Sequence, residues 1–391
     1  MKMGNIKPDS KILVALSGGV DSSVAAALLK RAGYNVEGAY MRCWSEGPYC
    51  TASADEADAA KVAGVLEIPF RVFNFEKEYK KKVIDYFFAE YEAGRTPNPD
   101  VMCNKKIKFG LFLNKARKLG FDYIATGHYA RISNEAELGP SDTEFLIQNG
   151  KKSPAFSLLA GTDGNKDQSY FLYMAAQDQL RYILFPLGSL KKSNVRELAK
   201  KFRLPTAERR ESMGICFVGP ARIKEFLMQK IKIRHGDIIS VDGRLLGKHI
   251  GLPFSTIGQR EGLGISETVP YYVVDKEVVT NTLIVAPFGH KALYRRRFLT
   301  DRPHWIKKEP ALPLKAAIRL RHRAPTVKGT IKKSVRNTLE VVLDKQERAI
   351  TPGQSAVFYL EDKVLGGAVI NRVLLHSATT AWTKSNRLIY K

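Results

Sequence analysis

The chain has 391 residues, 63 Lys and Arg against 39 Asp and Glu for a formal net charge of +24, and 44% apolar residues with 10% aromatics. So much hydrophobic surface excludes a disordered basic protein, and the length predicts two or three domains. No run nears the roughly 18–20 apolar residues of a membrane span, and the ten residues before the first strand-like run leave no room for a signal or transit peptide, so the cytoplasm is the expected compartment.

Residues 11 to about 130 alternate strand-like and helical patterns. The predicted elements are Ile12 to Leu16, Ser22 to Ala32, Val36 to Met41, Ala54 to Leu66, Phe70 to Phe75, Tyr79 to Tyr91, Lys105 to Lys118 and Tyr123 to Thr126. This alternation predicts an α/β fold with a parallel sheet wrapped by helices on both faces. A polar stretch at 133–152 around Phe145-Leu146-Ile147 reads as a surface hairpin or insertion, and helices are expected again at Gln168 to Met174, Gln177 to Tyr182 and Asn194 to Phe202. Beyond Gly219 the texture turns to short strands, with Asp237 to Val241 entering an Asp242-Gly243 turn. Period-two runs such as Ala316 to Arg321 and Leu339 to Leu343 predict a small β-barrel. The expected domains are 1–219, 220–287 (β-rich) and 288–372 (barrel), followed by a basic tail at 373–391.

The positive charge points to a polyanionic partner. It is concentrated at the C-terminal end, where 22 Lys and Arg face 7 Asp and Glu from Phe288 to Lys391. Contacts to the backbone of that polyanion are therefore the better reading of Arg295-Arg296-Arg297 and Lys332-Lys333 than mere solvated faces.

Ser17-Gly18-Gly19-Val20-Asp21-Ser22-Ser23 follows the first strand and opens the first helix. Glycines there let backbone N–H groups approach an anion, and the helix dipole adds to the attraction. No lysine follows the second glycine, so this is not the phosphate loop of kinases and GTPases. It resembles the SGGxDS loop of the ATP-pyrophosphatase (PP-loop) family, which implies adenylation of a substrate oxygen without naming the acceptor.

Four cysteines, at 43, 50, 103 and 216, form no repeated CxxC pair. Cys103 lies in Thr96-Pro97-Asn98-Pro99-Asp100-Val101-Met102-Cys103-Asn104-Lys105. With Asn104 or a neighbour starting a lysine-rich helix, Lys105 and Lys106 are expected to stabilise its thiolate, and Asp100 is a candidate general base. Cys216, in Gly214-Ile215-Cys216-Phe217-Val218-Gly219, is flanked by glycines that argue for a mobile strand or loop. Cys43 and Cys50 read as structural. His128, a lone histidine after a strand, reads equally well as structural or as a contact.

Together, SGGVDSS, Gly94 to Asp100, Cys103-Asn104-Lys105, Ala125 to Tyr129, Asn165 to Tyr173, Gly214 to Phe217, Gly258-Gln259-Arg260 and Thr351 to Tyr359 resemble the tRNA 2-thiouridylase family from about residue 11 to 370. The resemblance implies a PP-loop domain, a central β domain and a C-terminal β-barrel. It implies that Ala15, Leu16, Ser17, Gly18, Gly19, Val20, Asp21 and Ser22 bind ATP with Met41 and Gly127, and that Asn98, Pro99 and Asp100 face the target base. His128, Lys166, Asp167, Gln168, Arg321, His322 and Gln354 would contact tRNA. Cys216 would carry a persulfide and Cys103 would be the nucleophile, leaving a Cys103–Cys216 disulfide to be reduced.

The implied reaction is ATP-dependent 2-thiolation of the wobble uridine, with magnesium accompanying ATP. The expected partners are tRNA (the Lys, Glu and Gln isoacceptors) and a persulfide sulfur donor, for a monomer off the membrane. An iron–sulfur cluster on Asp100, Cys103 and Cys216 stays open, three ligands being a thin set. Met41-Arg42-Cys43-Trp44-Ser45 departs from the family's Asn-Trp followed by an acid. Two rivals stand beside this reading: a PP-loop amidotransferase or ligase acting on a small molecule, and a tRNA-binding protein that holds ATP only as a structural ligand.

Overall fold

A computed structural model describes residues 6–45, 51–134, 145–148, 151–209 and 223–374; Cys50, Cys216 and the tail from 375 lie outside them. Five parallel strands form the first sheet: β1 (Lys11–Ala15), β2 (Asn35–Arg42), β3 (Phe70–Asn74), β4 (Tyr123–Ala125) and the short Ile183–Leu184, in the order β3, β2, β1, β4, Ile183–Leu184. The alternation within β1 assigns its faces. Ile12, Val14 and Leu16 pack with Ala26 and Leu29 of α1 (Val20–Arg31) and Ala59, Val62 and Ala63 of α2 (Ala52–Val65). Leu13 and Ala15 face the larger core formed with α3 (residues 76–92) and α4 (residues 99–118). The chain runs one way from β1 to β2 and β3 and the other way to β4, so the crevice beyond the carboxyl end of β1 is a topological switch point, where open α/β sheets bind ligands.

Both α3 and α4 contain wider π-helical stretches, Lys80–Ile84 and Asn104–Phe112. Gly110 permits the second, because a Cβ there would sit 2.9 Å from the Lys105 carbonyl oxygen.

A second sheet of four strands, Gly236–Ser240, Leu245–His249, Tyr271–Glu277 and Thr282–Pro287, includes the expected hairpin, with Gly243 at φ +91. The C-terminal strands Tyr294–Thr300, Leu339–Arg348, Val327–Lys333, Leu314–Arg319, Ser355–Leu360 and Lys363–Leu374 pair antiparallel in that order, and the last returns to the first. They close a six-stranded barrel.

Two differences from the sequence reading matter for function. The stretch around 133–152 contains the expected hairpin, Phe145–Gln148 paired with Lys151–Pro154, but it is tied into the fold as well. Its flanks, Ala130–Asn134 and Phe156–Ala160, pair with each other, and Phe156–Ala160 pairs with the barrel strand Lys363–Leu374. In place of a helix at Gln168 to Met174 there is one short turn, Ser169–Phe171, because the Ser169 N–H and Oγ both donate to Asp167, at 3.0 Å each.

The barrel docks through one strand buried on both sides. Ala356 and Phe358 point into the barrel, while Val357 and Tyr359 join the core beneath the parallel sheet. Polar groups fix this docking. Asp167, 4% exposed, also accepts from the Gly161 N–H at 2.9 Å and pairs with Arg319 of the barrel. Tyr170 Oη donates to the Ser355 carbonyl at 3.0 Å. Among the described residues, no helix is long and apolar enough to cross a membrane.

Removing one partner of a buried ion pair leaves the other charge uncompensated. Asp167→Ala is therefore expected to cost about 3–5 kcal/mol, read as a lowered urea midpoint, and adding Arg319→Met should restore part of it. Equal midpoints for wild type and Asp167→Ala would show that the pair does not hold the barrel in place.

Candidate active site

The sequence places SGGVDSS where β1 meets α1, and the structure folds it into a cradle. Gly18 adopts φ +74, where a Cβ would lie 2.4 Å from the Asp55 carbonyl oxygen. Ser22 Oγ and Ser23 Oγ donate to the Gly19 carbonyl at 3.0 and 2.8 Å, and the Ser17 N–H donates to Ser22 Oγ at 3.1 Å. Gly19, the N-cap of α1, offers no side chain to the first amides of the helix, so the positive end of the dipole faces the crevice. Gly127, just past β4, lies so close that a Cβ would meet the Ser22 nitrogen at 2.7 Å. Met41 stands at the end of β2 and packs against the larger core. Residues 15–22, Met41 and Gly127 thus converge at the ends of three adjacent strands.

Two cations reach this loop from far along the chain. Arg209 Nη1 donates to the Gly18 carbonyl at 2.6 Å and to Asp58 at 2.8 Å, and its other nitrogen pairs with Asp55. Lys192 Nζ donates to Asp21 at 2.6 Å, and Tyr129 Oη donates to the same oxygen at 2.7 Å. The sequence reading missed Arg209, Lys192 and Tyr129, since nothing local ties them to the loop.

The helix carrying Cys103 starts earlier than predicted. Asn98 is its N-cap, accepting from the Val101 N–H at 3.4 Å, and Pro99 follows as the first helical residue. Cys103 is therefore the fifth helical residue, and it is buried. The expected thiolate stabilisation by Lys105 and Lys106 is corrected: burial pushes the Cys103 thiol up to about 12. The cation that opposes this shift is Lys108, while Cys43 and Asp100 add to it. In an α-helix, residue 108 would be turned about 140° from residue 103. The π-helical stretch Asn104–Phe112, with i to i+5 bonds, turns less per residue and so changes the direction in which residue 108 projects. Asp100 is half-buried one turn before Cys103.

His128 is buried between the rings of Phe109 and Phe185, with centroids 5.9 and 5.8 Å away. Burial first, and then Lys108, hold its pKa well below the ordinary value, so the ring is neutral. Lys108 Nζ lies 3.4 Å from Nε2, and Thr126 Oγ1 is 2.7 Å from Nδ1. With the lysine donating, Nε2 accepts and the Nδ1–H donates to Thr126. This is the structural alternative for His128.

The other contact candidates separate by burial. Asp167 is withdrawn as an RNA contact, its carboxylate being taken up by Gly161, Ser169 and Arg319. Gln168 accepts from the Tyr129 N–H at 3.0 Å, and the Gln354 amide donates to the carbonyls of Thr96 and Pro97. Arg321 is exposed and Lys166 half-buried. His322 packs at a tilt against Phe171, with centroids 4.4 Å apart, its pKa lowered to about 4 by burial and then by Arg323. Of the arginine triplet, Arg295 is buried, Arg296 donates to the Leu343 carbonyl and Arg297 pairs with Glu340. Lys332 and Lys333 are exposed. Among the described residues no group of three His, Cys, Asp or Glu could hold a metal ion; a set that includes Cys216 lies outside them.

Residues 10–220 match the family model described as the tRNA methyl transferase HUP domain. Residues 224–287 match the tRNA methyl transferase PRC-barrel domain, and 295–370 the aminomethyltransferase beta-barrel domain. Curated proteins named tRNA-specific 2-thiouridylase MnmA are similar over almost the whole chain. The one from Marinomonas sp. (strain MWYL1) is 44% identical over 373 residues, 93% of this chain and 91% of that protein. The one from Listeria monocytogenes is 43% identical over 394 residues, 99% and 100% of the two chains. The one from Streptococcus mutans is 44% identical over 372 residues, 93% and 95%. Among solved structures, a 4-thiouridine synthetase–RNA complex with bound ATP is 17% identical, covers 56% of this chain and 50% of its own, and has a TM-score of 0.32, a likeness too remote to carry an argument.

A thiol pushed up to about 12 is neutral near pH 8. In the protein alone, Cys103 should therefore resist iodoacetamide, with labelling that climbs steeply above pH 9. Peptide mapping by mass spectrometry after timed labelling checks this, and labelling at pH 7.5 as fast as that of a free thiol would contradict it.

Proposed function

The chain belongs to the tRNA-specific 2-thiouridylase family, and from that membership we propose a mechanism for its thiolation of tRNA in which ATP activates the base and two cysteines deliver the sulfur. The observation that carries the proposal is the placement of the two halves of the chemistry. An uncapped helix N-terminus with a glycine loop lies at the end of β1, and the nucleophile candidate Cys103 stands in a helix on the other face of the same sheet.

The C2 oxygen of the uracil is a poor leaving group. Its attack on the α-phosphorus of ATP releases pyrophosphate and converts it to an adenylate, from which sulfur can displace AMP. Residues 17–22 hold the phosphates through backbone N–H groups and the dipole of α1, with Met41 and Gly127 bounding the nucleotide. Magnesium would accompany the triphosphate, and Asp21 is the carboxylate at the loop that would share it.

Cys216, charged as a persulfide by a donor protein, supplies the terminal sulfur. The outer sulfur forms the C2–S bond and expels AMP, either before Cys103 attacks or after release as hydrosulfide. Cys103 attacks the inner sulfur of Cys216, the sulfur–sulfur bond breaks, and a Cys103–Cys216 disulfide remains for an external thiol to reduce. Burial keeps Cys103 protonated until it is needed, so its attack requires a base. Asp100, one turn away, takes the proton, and Lys108 stabilises the thiolate. Arg321, Lys332 and Lys333 are among the exposed cations of the described residues that would meet the RNA backbone, with half-buried Lys166 beside them.

Unmodified tRNA, ATP and a persulfide donor should give 2-thiouridine, AMP and pyrophosphate, read by nucleoside mass spectrometry and phosphate release. Cys103→Ser should abolish the thiolated nucleoside. Full activity in a Cys216→Ala variant would remove the persulfide step, and unchanged rates in both cysteine variants would favour a PP-loop ligase. Gly127→Ala, whose methyl group would press on Ser22, should weaken ATP binding by about 10-fold or more, an effect of about 1.4 kcal/mol. Equilibrium binding of a fluorescent ATP analogue checks it, and wild-type affinity would place the nucleotide elsewhere.

A further inference from the structure

The segment leading into the Cys103 helix, Gly94-Arg95-Thr96-Pro97-Asn98-Pro99, is poor in hydrogen-bond donors. Pro97 and Pro99 carry no N–H, and each proline restricts the residue before it to extended backbone. Such a loop satisfies few of its own carbonyls, and a partly buried carbonyl left unpaired is costly.

The missing partners come from both later parts of the chain. Gln354 Nε2 donates to the carbonyls of Thr96 at 2.9 Å and Pro97 at 3.2 Å, and the Thr96 N–H donates to the Pro352 carbonyl at 2.9 Å. Gly353, at φ +93, sits so close that a Cβ would lie 2.7 Å from Thr96 O. From the four-stranded sheet, Lys276 Nζ donates to the Gly94 carbonyl at 3.0 Å, and Thr256 Oγ1 lies 3.4 Å from Thr96 Oγ1. Two residues beyond Thr96 stands Asn98, the cap of the helix that presents Asp100 and Cys103.

Resting on the tRNA-thiolation reading, we propose that Gln354 and Lys276 are positioning residues. They hold the 94–98 loop so that Asn98, Asp100 and Cys103 meet the target base, and RNA seated on the barrel is thereby registered at the site of chemistry. This assigns Gln354 a role different from direct RNA contact. Its amide acts on the protein backbone, and its influence on the reaction passes through the loop. Lys276 does the same from a different part of the chain, so loss of either should have one signature.

The test uses the full chain with Gln354→Ala and Lys276→Met, and Lys276→Arg as the variant that keeps a donor. Three quantities are read: RNA affinity, the single-turnover thiolation rate at saturating tRNA, and hydrogen exchange of the peptide spanning 94–103. Misplacing reacting groups by about 1 Å costs about 10²-fold. The expected result is a rate lowered by about 10- to 100-fold, RNA affinity within about twofold of wild type, and faster exchange confined to 94–103, with Lys276→Arg recovering much of the rate. A Gln354→Ala protein that binds RNA about tenfold more weakly yet reacts at the wild-type rate when saturated would make Gln354 an RNA contact and overturn the proposal. Unchanged exchange at 94–103 would overturn it as well. If Gln354→Ala fails to fold, Lys276→Met alone decides by the same criteria. A wild-type protein that does not thiolate tRNA refutes the underlying reading instead, and the exchange measurement then still decides whether these residues hold the loop.

Discussion

The carboxylate of Asp167 is the constraint on which the arrangement of the molecule depends. Nearly sealed from solvent, it accepts from the Gly161 N–H, from the Ser169 N–H and hydroxyl, and from the Arg319 guanidinium of the barrel. In a low-dielectric interior a charge so placed tolerates little displacement, because a half-satisfied set is worse than none. It therefore locks strand Leu314–Arg319 to the turn after Phe156–Ala160. With that lock in place, Ser355–Leu360 is buried on both faces, one lining the barrel and the other completing the core under the parallel sheet. The turn at 352–354 is then carried to the 94–98 loop.

The same packing connects the two halves of the chemistry. Gly127 abuts Ser22 in the anion loop. His128, the next residue, is buried beside Lys108, and Lys108 is the cation that acts on Cys103. Packing thus links the glycine loop to Lys108, whose charge opposes the rise of the Cys103 thiol. The π-helical winding of Asn104–Phe112 bears on this link, since it changes the direction in which Lys108 projects. Charge is sorted just as firmly. Of Arg295 to Arg297, which look like a surface patch in sequence, Arg295 is buried while Arg296 and Arg297 stay exposed although bonded within the barrel, and Lys332 and Lys333 are exposed.

Sequence was a reliable guide to several local features. The strand–loop–helix around SGGVDSS, the two faces of β1 and the Asp242-Gly243 hairpin each depend on neighbours a few residues apart, so periodicity and turn chemistry expose them. The start of the Cys103 helix was also legible, in Asn98 followed by Pro99, a cap with proline at the first position. Weighting the lysines placed it at Asn104 instead. The environment of Cys103 was not legible. Its helix-proximal lysines suggested a stabilised thiolate, but the thiol is enclosed by side chains from distant segments, and desolvation outweighs those charges.

By itself, the sequence determined the class of fold, the anion loop and which cysteines stand in chemically telling surroundings, because each is written in contiguous residues. Tertiary structure alone decided which charges remain available. Asp167 and Arg295 look like surface contacts in a linear reading and His128 reads either way, and packing places all three in the interior. Only the folded chain shows that Gln354 and Lys276 meet a loop some 180–260 residues earlier. Two prolines leave that loop with few donors of its own, and the partners that complete it are set by how the barrel and the four-stranded sheet meet it.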